Sequence, residues 1–194
     1  KIGITGSIAS GKTTACKIIS NKKGPLFSAD KVVKKLYTKK KFKKFLAKKL
    51  KLKINSNFKK VIKDKILKEK GVLKKLEKII HPQVRKEMYF FTRKNKNKKL
   101  LFFEVPLLIE SKLAKYFDVL IFIKSEKNLR FKRYKKINKG NMKLFSLLNK
   151  HQFKDTKKMK QCDHIVVNNQ SLDILKRKLL NIINTYEWDF FRYR

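Results

Sequence analysis

The sequence predicts an α/β fold, a parallel sheet flanked by helices. Three observations carry that reading. Short apolar runs of strand type alternate with longer segments whose apolar residues recur at helical spacing. Residues 100–104 and 119–123 are almost continuously apolar, as strands covered on both faces are. A loop bounded by Gly6 and Gly11 sits between the first strand pattern and the first helix pattern.

The elements follow in order. Residues 1–5 form a strand, 6–11 a loop and 12–20 a helix, and 25–28 a second short strand. Residues 31–51 read as one helix, with Val32, Val33, Leu36, Phe42, Phe45, Leu46 and Leu50 at helix-like spacings. Residues 55–57 are a polar break, 60–70 a further helix, and Gly71 punctuates it. Residues 72–80 form a short amphipathic piece that His81 and Pro82 interrupt; a helix resumes over 83–93. A charged turn at 95–99 leads into the strand at 100–104, which Pro106 stops. The strand at 119–123 precedes helices at 127–136 and 143–153, separated by a break around Gly140. A last strand at 165–167 precedes an amphipathic helix over 171–188, with Leu172, Leu175, Leu179, Ile182, Ile183 and Tyr186 on one face.

The chain is expected to be one domain over 1–194. Its core is about 1–30, 95–126 and 160–194. The helical stretch 31–94 is too long for a simple crossover and reads as a substrate-covering subdomain, and 127–158 reads as a mobile lid.

Composition narrows the class. Hydrophobic residues make up 42% of the chain, enough for a sizeable core. The formal net charge is +40, but only seven of the 54 basic residues are arginine, and the lysines are scattered along the chain. Nucleic-acid readers lean on arginine for bidentate contacts. No specific nucleic-acid partner is therefore expected, only salt-sensitive, non-specific binding. The abundance of Lys, Asn, Ile and Phe together looks like drift in an AT-rich genome. Cys16 and Cys162 make neither a metal spacing nor a disulfide framework, which suits a reducing, cytoplasmic setting. No apolar run approaches membrane-spanning length, so no membrane association is expected. The N-terminus lacks the apolar length of a signal peptide and reads as a core strand, with an initiator Met expected ahead of it.

The chemistry lies in Gly6-Ser7-Ile8-Ala9-Ser10-Gly11-Lys12-Thr13, a full G-x-x-x-x-G-K-[ST] match between a predicted strand and a predicted helix. The two glycines let successive backbone N–H groups turn inward around a phosphate, and the helix N-terminus adds partial positive charge. Lys12 supplies a mobile charge to the β- and γ-phosphates, and the Thr13 hydroxyl can ligate Mg²⁺. Lys12 is expected to face solvent in the ligand-free loop. The motif implies a P-loop NTPase-like sheet that binds a nucleotide, with Ser7, Ile8, Ala9, Ser10, Gly11, Lys12, Thr13 and Thr14 as the binding residues, for ATP if the chain is a kinase. GTPases, ATPases and small-molecule kinases share it. The short chain and the lack of a guanine-reading N-K-x-D favour a lone kinase.

Further motifs accompany it: Phe27-Ser28-Ala29-Asp30, His81-Pro82-Gln83-Val84-Arg85, Val105-Pro106-Leu107-Leu108-Ile109-Glu110, Phe117-Asp118, and Cys162-Asp163-His164-Ile165-Val166-Val167-Asn168-Asn169. In order and spacing the whole chain resembles the dephospho-coenzyme A kinases, which carry D-A-D, H-P-x-[IV]-R, V-P-L-L-x-E and A-D-x-V-I-x-N at these places. The H-P-x-x-R and P-L-L-x-E pair argues against a nucleoside monophosphate or shikimate-like acceptor. The resemblance implies ATP and Mg²⁺, with dephospho-CoA as acceptor and 31–94 as its subdomain. It implies Asp30 as general base, with an alternative role as cap of the following helix. His81, Arg85, Pro106, Leu107 and Leu108 are implied at the acceptor, and Asn168 beside the adenine. Arg133 matches the first lid arginine and is implied at the transferring phosphoryl with Lys12. Two positions depart from the pattern. Ser28 stands for the first Asp of D-A-D, and the second lid arginine falls on Ile137, leaving Lys135 or Lys136 to replace it. Glu104 ends its strand where many P-loop proteins place a metal-facing acid, and Glu110 is read as orienting its neighbours.

Overall fold

The structure, a computed structural model, describes residues 1–138 and 141–192. It divides into two compact units, Lys1–Phe27 with Asn97–Arg194, and Ser28–Lys96.

The first unit is built on a sheet of five strands: β1 (Ile2–Gly6), β2 (Leu26–Ser28), β3 (Phe102–Glu104), β4 (Val119–Lys124) and β5 (His164–Val167), in the order β2-β3-β1-β4-β5. The pairs β1–β3, β1–β4 and β4–β5 are parallel. The register sets Ile4 beside Glu104 and Ile121, so β3 ends level with the start of the Gly-rich loop. Every residue of β1 and of the run Val119–Ile123 in β4 is buried, as in strands covered on both faces, which explains the continuous apolar run of β4. On one face Ile2, Ile4, Ile121 and Ile123 pack with Cys16 and Ile19 of α1 (Lys12–Ser20) and Leu175, Leu179 and Ile183 of α9 (Leu172–Arg192). Elsewhere Phe103 meets Phe27 and Phe117 at ring separations of 5.8 and 5.2 Å. A short 3₁₀ helix, Ala114–Tyr116, precedes β4, and α6 (Lys127–Asn138), α7 (Met142–His151) and α8 (Asp155–Met159) join β4 to β5.

Several local readings change. The C-terminal helix is longer than its apolar stripe suggests. Helix α8 was not anticipated, because a stretch so rich in lysine shows no apolar period. Of the break around Gly140, Lys139 and Gly140 lie outside the described residues.

The second unit is helical: α2 (Ala29–Leu36), α3 (Lys40–Leu50), α4 (Phe58–Lys68) and α5 (Val72–Lys94), with the first three packed on α5. The single helix expected over 31–51 is two. Tyr37 caps α2, and the Thr38 hydroxyl turns back to donate to the Lys35 carbonyl at 2.8 Å. Apolar spacing continues across that turn, which is why the pattern conceals it. Conversely, α5 runs unbroken through Pro82. Proline in a helix interior costs about 3 kcal/mol in propensity. Here Leu76, Ile80 and Val84 form one buried stripe on both sides of it, and packing outweighs the local penalty.

Candidate active site

The Gly-rich loop carries the backbone strain its sequence implies. Gly6 has φ of +151°, and a Cβ there would stand 2.4 Å from the Ile123 carbonyl oxygen. Gly11, at φ +92°, is the left-handed N-cap of α1, and a Cβ there would lie 2.2 Å from Asn168 Nδ2. Ala9 also takes positive φ, at 59°. The loop thus closes to a ring only because two positions lack side chains. The Ser10 hydroxyl is buried without a hydrogen-bond partner among the described residues, a group left for a ligand oxygen to satisfy.

Lys12 does not face solvent as expected. It is only 8% exposed, and its ammonium donates to the carbonyls of Gly6 at 3.0 Å and Ser7 at 2.8 Å. A buried ammonium needs acceptors, and the turn of the loop supplies them. Thr13 Oγ1 donates to Glu104, which is 2% exposed at the end of β3. The register of β3 against β1 accounts for this pairing. A hydroxyl and a carboxylate are hard oxygen donors of the kind Mg²⁺ prefers, and the ion takes few protein ligands. Among the described residues no group of three His, Cys, Asp or Glu forms a metal cage.

Two further expected residues meet the loop at Ser10. Asn168 follows β5, and its amide donates to the Ser10 carbonyl at 2.8 Å. Arg133 on α6 donates to the carbonyl of Asn168 and the hydroxyl of Ser125 at 3.1 Å each, and to the Ser10 carbonyl at 3.4 Å. Both residues therefore hold the Ser10 carbonyl of the loop. Pro106 accepts from the Thr5 hydroxyl at 3.1 Å, and Leu107 accepts from Ser111. Leu108 is fully buried under β1, where the missing side chain of Gly3 makes room for it.

Asp30, His81 and Arg85 belong to the second unit. Asp30 is exposed in the first turn of α2. It is not the helix cap: Ser28 is, with its hydroxyl accepting from the Lys31 amide at 3.4 Å. The departure from D-A-D at Ser28 is therefore a serviceable N-cap. His81 and Arg85 stand one turn apart on α5. Ile137, at the position of the absent second arginine, is 78% exposed.

Sequence reasoning missed a polar group from α6 to α8. Gln152 accepts from the Ile8 amide at 3.0 Å, and Asp155 accepts from the Ser7 hydroxyl. Arg130 is buried, with bonds to the Ser125 carbonyl at 3.1 Å and to Asn149 at 2.8 Å. Burial pushes its pKa down, and Asp155 opposes the shift. The available signals were an arginine three residues before Arg133 and a lone acid in a lysine run.

A parallel sheet, a glycine-bounded phosphate loop opening a helix and a carboxylate facing the loop's threonine define a P-loop kinase fold. The sequence profile of the dephospho-CoA kinase family matches residues 1–173. A dephospho-CoA kinase of Fusobacterium nucleatum is 32% identical over 188 residues, 95% of this chain and 97% of that protein. Solved structures of the same fold include a Thermus thermophilus protein, TM-score 0.74 at 21% identity, spanning 95% of this chain and 96% of that one. A dephospho-CoA kinase of Campylobacter jejuni follows at TM-score 0.61 and 23% identity, with the same coverage. This chain belongs to the dephospho-CoA kinase family.

Proposed function

We propose that this chain transfers the γ-phosphoryl group of ATP to the 3′-hydroxyl of dephospho-CoA, giving ADP and CoA. The observation that carries the reading is the Lys12, Thr13 and Glu104 arrangement in a chain of this family. The amides and hydroxyls of residues 7–14 bind the ATP phosphates. Lys12 exchanges its two loop carbonyls for phosphate oxygens, and Arg133 adds charge at the transferring group. Thr13 and Glu104 would hold Mg²⁺, which when bound neutralises phosphate charge. Asp30 orients the acceptor hydroxyl and takes its proton as the new O–P bond forms and the bond to the β-phosphate oxygen breaks. His81 and Arg85 bind the anionic end of the acceptor, Pro106, Leu107 and Leu108 form wall, and Asn168 lies at the adenine side.

Residues 31–94 are the acceptor subdomain and 127–158 the lid. Closure excludes water and completes the charge around the phosphoryl. No helix among the described residues is long and apolar enough to cross a membrane. We place the reaction in the cytoplasm, a reducing setting that suits cysteines such as Cys16 and Cys162 outside disulfides. The +40 charge is incidental to it, and binding to nucleic acid is non-specific and salt-sensitive.

The test is to incubate the purified chain with Mg·ATP and a panel of acceptors: dephospho-CoA, shikimate and nucleoside monophosphates. We expect ADP to form with dephospho-CoA and the acceptor to gain one phosphoryl mass. ADP formation confined to another acceptor would overturn the assignment.

A further inference from the structure

Lys158 on α8 is 0% exposed, and its ammonium lies 2.7 Å from Glu110 Oε1, on a side chain 12% exposed. The contact lacks hydrogen-bond geometry, and Glu110 Oε2 has no hydrogen-bond donor among the described residues, so charge holds the pair. The same Oε1 accepts the Phe153 amide at 3.0 Å. A carboxylate of the V-P-L-L-I-E turn thus grips both ends of the short segment 153–158. That segment is flanked and occupied by the two side chains that reach the Gly-rich loop, Gln152 at the Ile8 amide and Asp155 at the Ser7 hydroxyl.

Burying a lysine costs several kcal/mol, and an ion pair rarely repays that better than apolar packing would. A buried pair that breaks even in stability has its use in registry. Here the register it imposes is that of residues 152–155 against the first two variable positions of the phosphate loop. Those positions have no strand or helix of their own to hold them; Gln152 and Asp155 supply the missing partners.

We propose that Glu110 and Lys158 are a positioning pair for ATP: they fix residues 152–155, which in turn hold Ser7 and Ile8 in the phosphate-ready conformation. The inference rests on the nucleotide-binding part of the function above, not on the identity of the acceptor. Without the anchor the loop must be ordered at the moment of binding, and ATP affinity falls by that amount. The effect is transmitted through hydrogen bonds to Ser7 and Ile8, not through contact with the nucleotide.

The experiment is ATP binding by calorimetry on Glu110→Gln, Lys158→Met and the double variant, with Lys158→Arg as the conservative control. We expect each single variant to weaken ATP about tenfold, the worth of a hydrogen bond or two to the loop. The double variant should weaken it no further than either single one, since both remove the same anchor. Lys158→Arg should restore wild-type affinity. Gln152→Ala leaves the pair and its packing intact, so it carries the test even where the single variants fail to fold; its ATP Kd should rise about fivefold. Unchanged or tighter ATP binding in the folded variants, or effects of Glu110→Gln and Lys158→Met that simply add, would overturn the proposal. Loss of CoA formation with normal ATP binding would instead count against the acceptor assignment and leave this one standing.

Discussion

Replacing Gly11 by alanine tests the geometry of the phosphate loop without removing any charged group. Two costs follow from the structure. The residue sits at φ +92°, and an L-residue in the left-handed region costs about 1–2 kcal/mol. The new Cβ would stand 2.2 Å from Asn168 Nδ2, so that amide must leave the Ser10 carbonyl it now binds at 2.8 Å. A buried hydrogen bond of this kind is worth about 0.5–1.5 kcal/mol net. Gly11→Ala should therefore destabilise the fold by about 2–3 kcal/mol. Asn168→Ala alone should cost about 1 kcal/mol, the hydrogen bond only. The double variant should cost about as much as Gly11→Ala by itself, because the first substitution has already displaced what the second removes. Urea unfolding of the three variants and the parent reads all four values. Additivity within about 0.5 kcal/mol, the usual result for independent sites, would refute the contact between Gly11 and Asn168.

Three further outcomes are expected. Lys12→Ala should lower kcat by about 10² or more, the worth of a charge at the developing phosphoryl. Because Lys12 is buried on two carbonyls, it should also cost about 1–3 kcal/mol in a urea melt; unchanged stability would contradict its burial. Ser28→Ala should lower stability by about 0.5–1 kcal/mol with kcat intact, whereas Asp30→Asn should leave the melting temperature unchanged and lower kcat by about 10²–10⁴. A near-normal kcat for Asp30→Asn would pass the proton-acceptor role to another group. Burial, with Asp163 adding to it and Lys158 opposing, pushes the Cys162 thiol up to about 11 from 9.0. Alkylation of the native chain at pH 8 should therefore be slow at Cys162 and absent at the buried Cys16, and should accelerate as pH rises toward 11. The raised value favours the protonated thiol in the fold, so its contribution to stability is intact below pH 9 and is lost as pH rises through 11. Rapid labelling of Cys162 at pH 8 would contradict the raised value.

The sequence alone determined the parts of this protein that are contiguous in the chain. The phosphate loop is eight residues in a row, so its glycines, lysine and threonine announce both the turn and its ligand. The strands β1, β3 and β4 were legible because a strand buried on two faces has no polar alternation to disguise it. The family was legible from short motifs in the right order. Tertiary structure decided whatever depends on residues far apart. Glu104 is 91 residues from the Thr13 it pairs with, and only the β1–β3 register brings them together. Asp155 is 148 residues from Ser7, on a helix that no apolar period revealed. Whether Pro82 would end a helix was a contest between local propensity and a buried stripe, and packing settled it. Lys12 and Lys158 show the limit most plainly. Among so many lysines nothing in the sequence marks these two as buried, because an ammonium goes inside only where the fold brings carbonyls or a carboxylate to meet it.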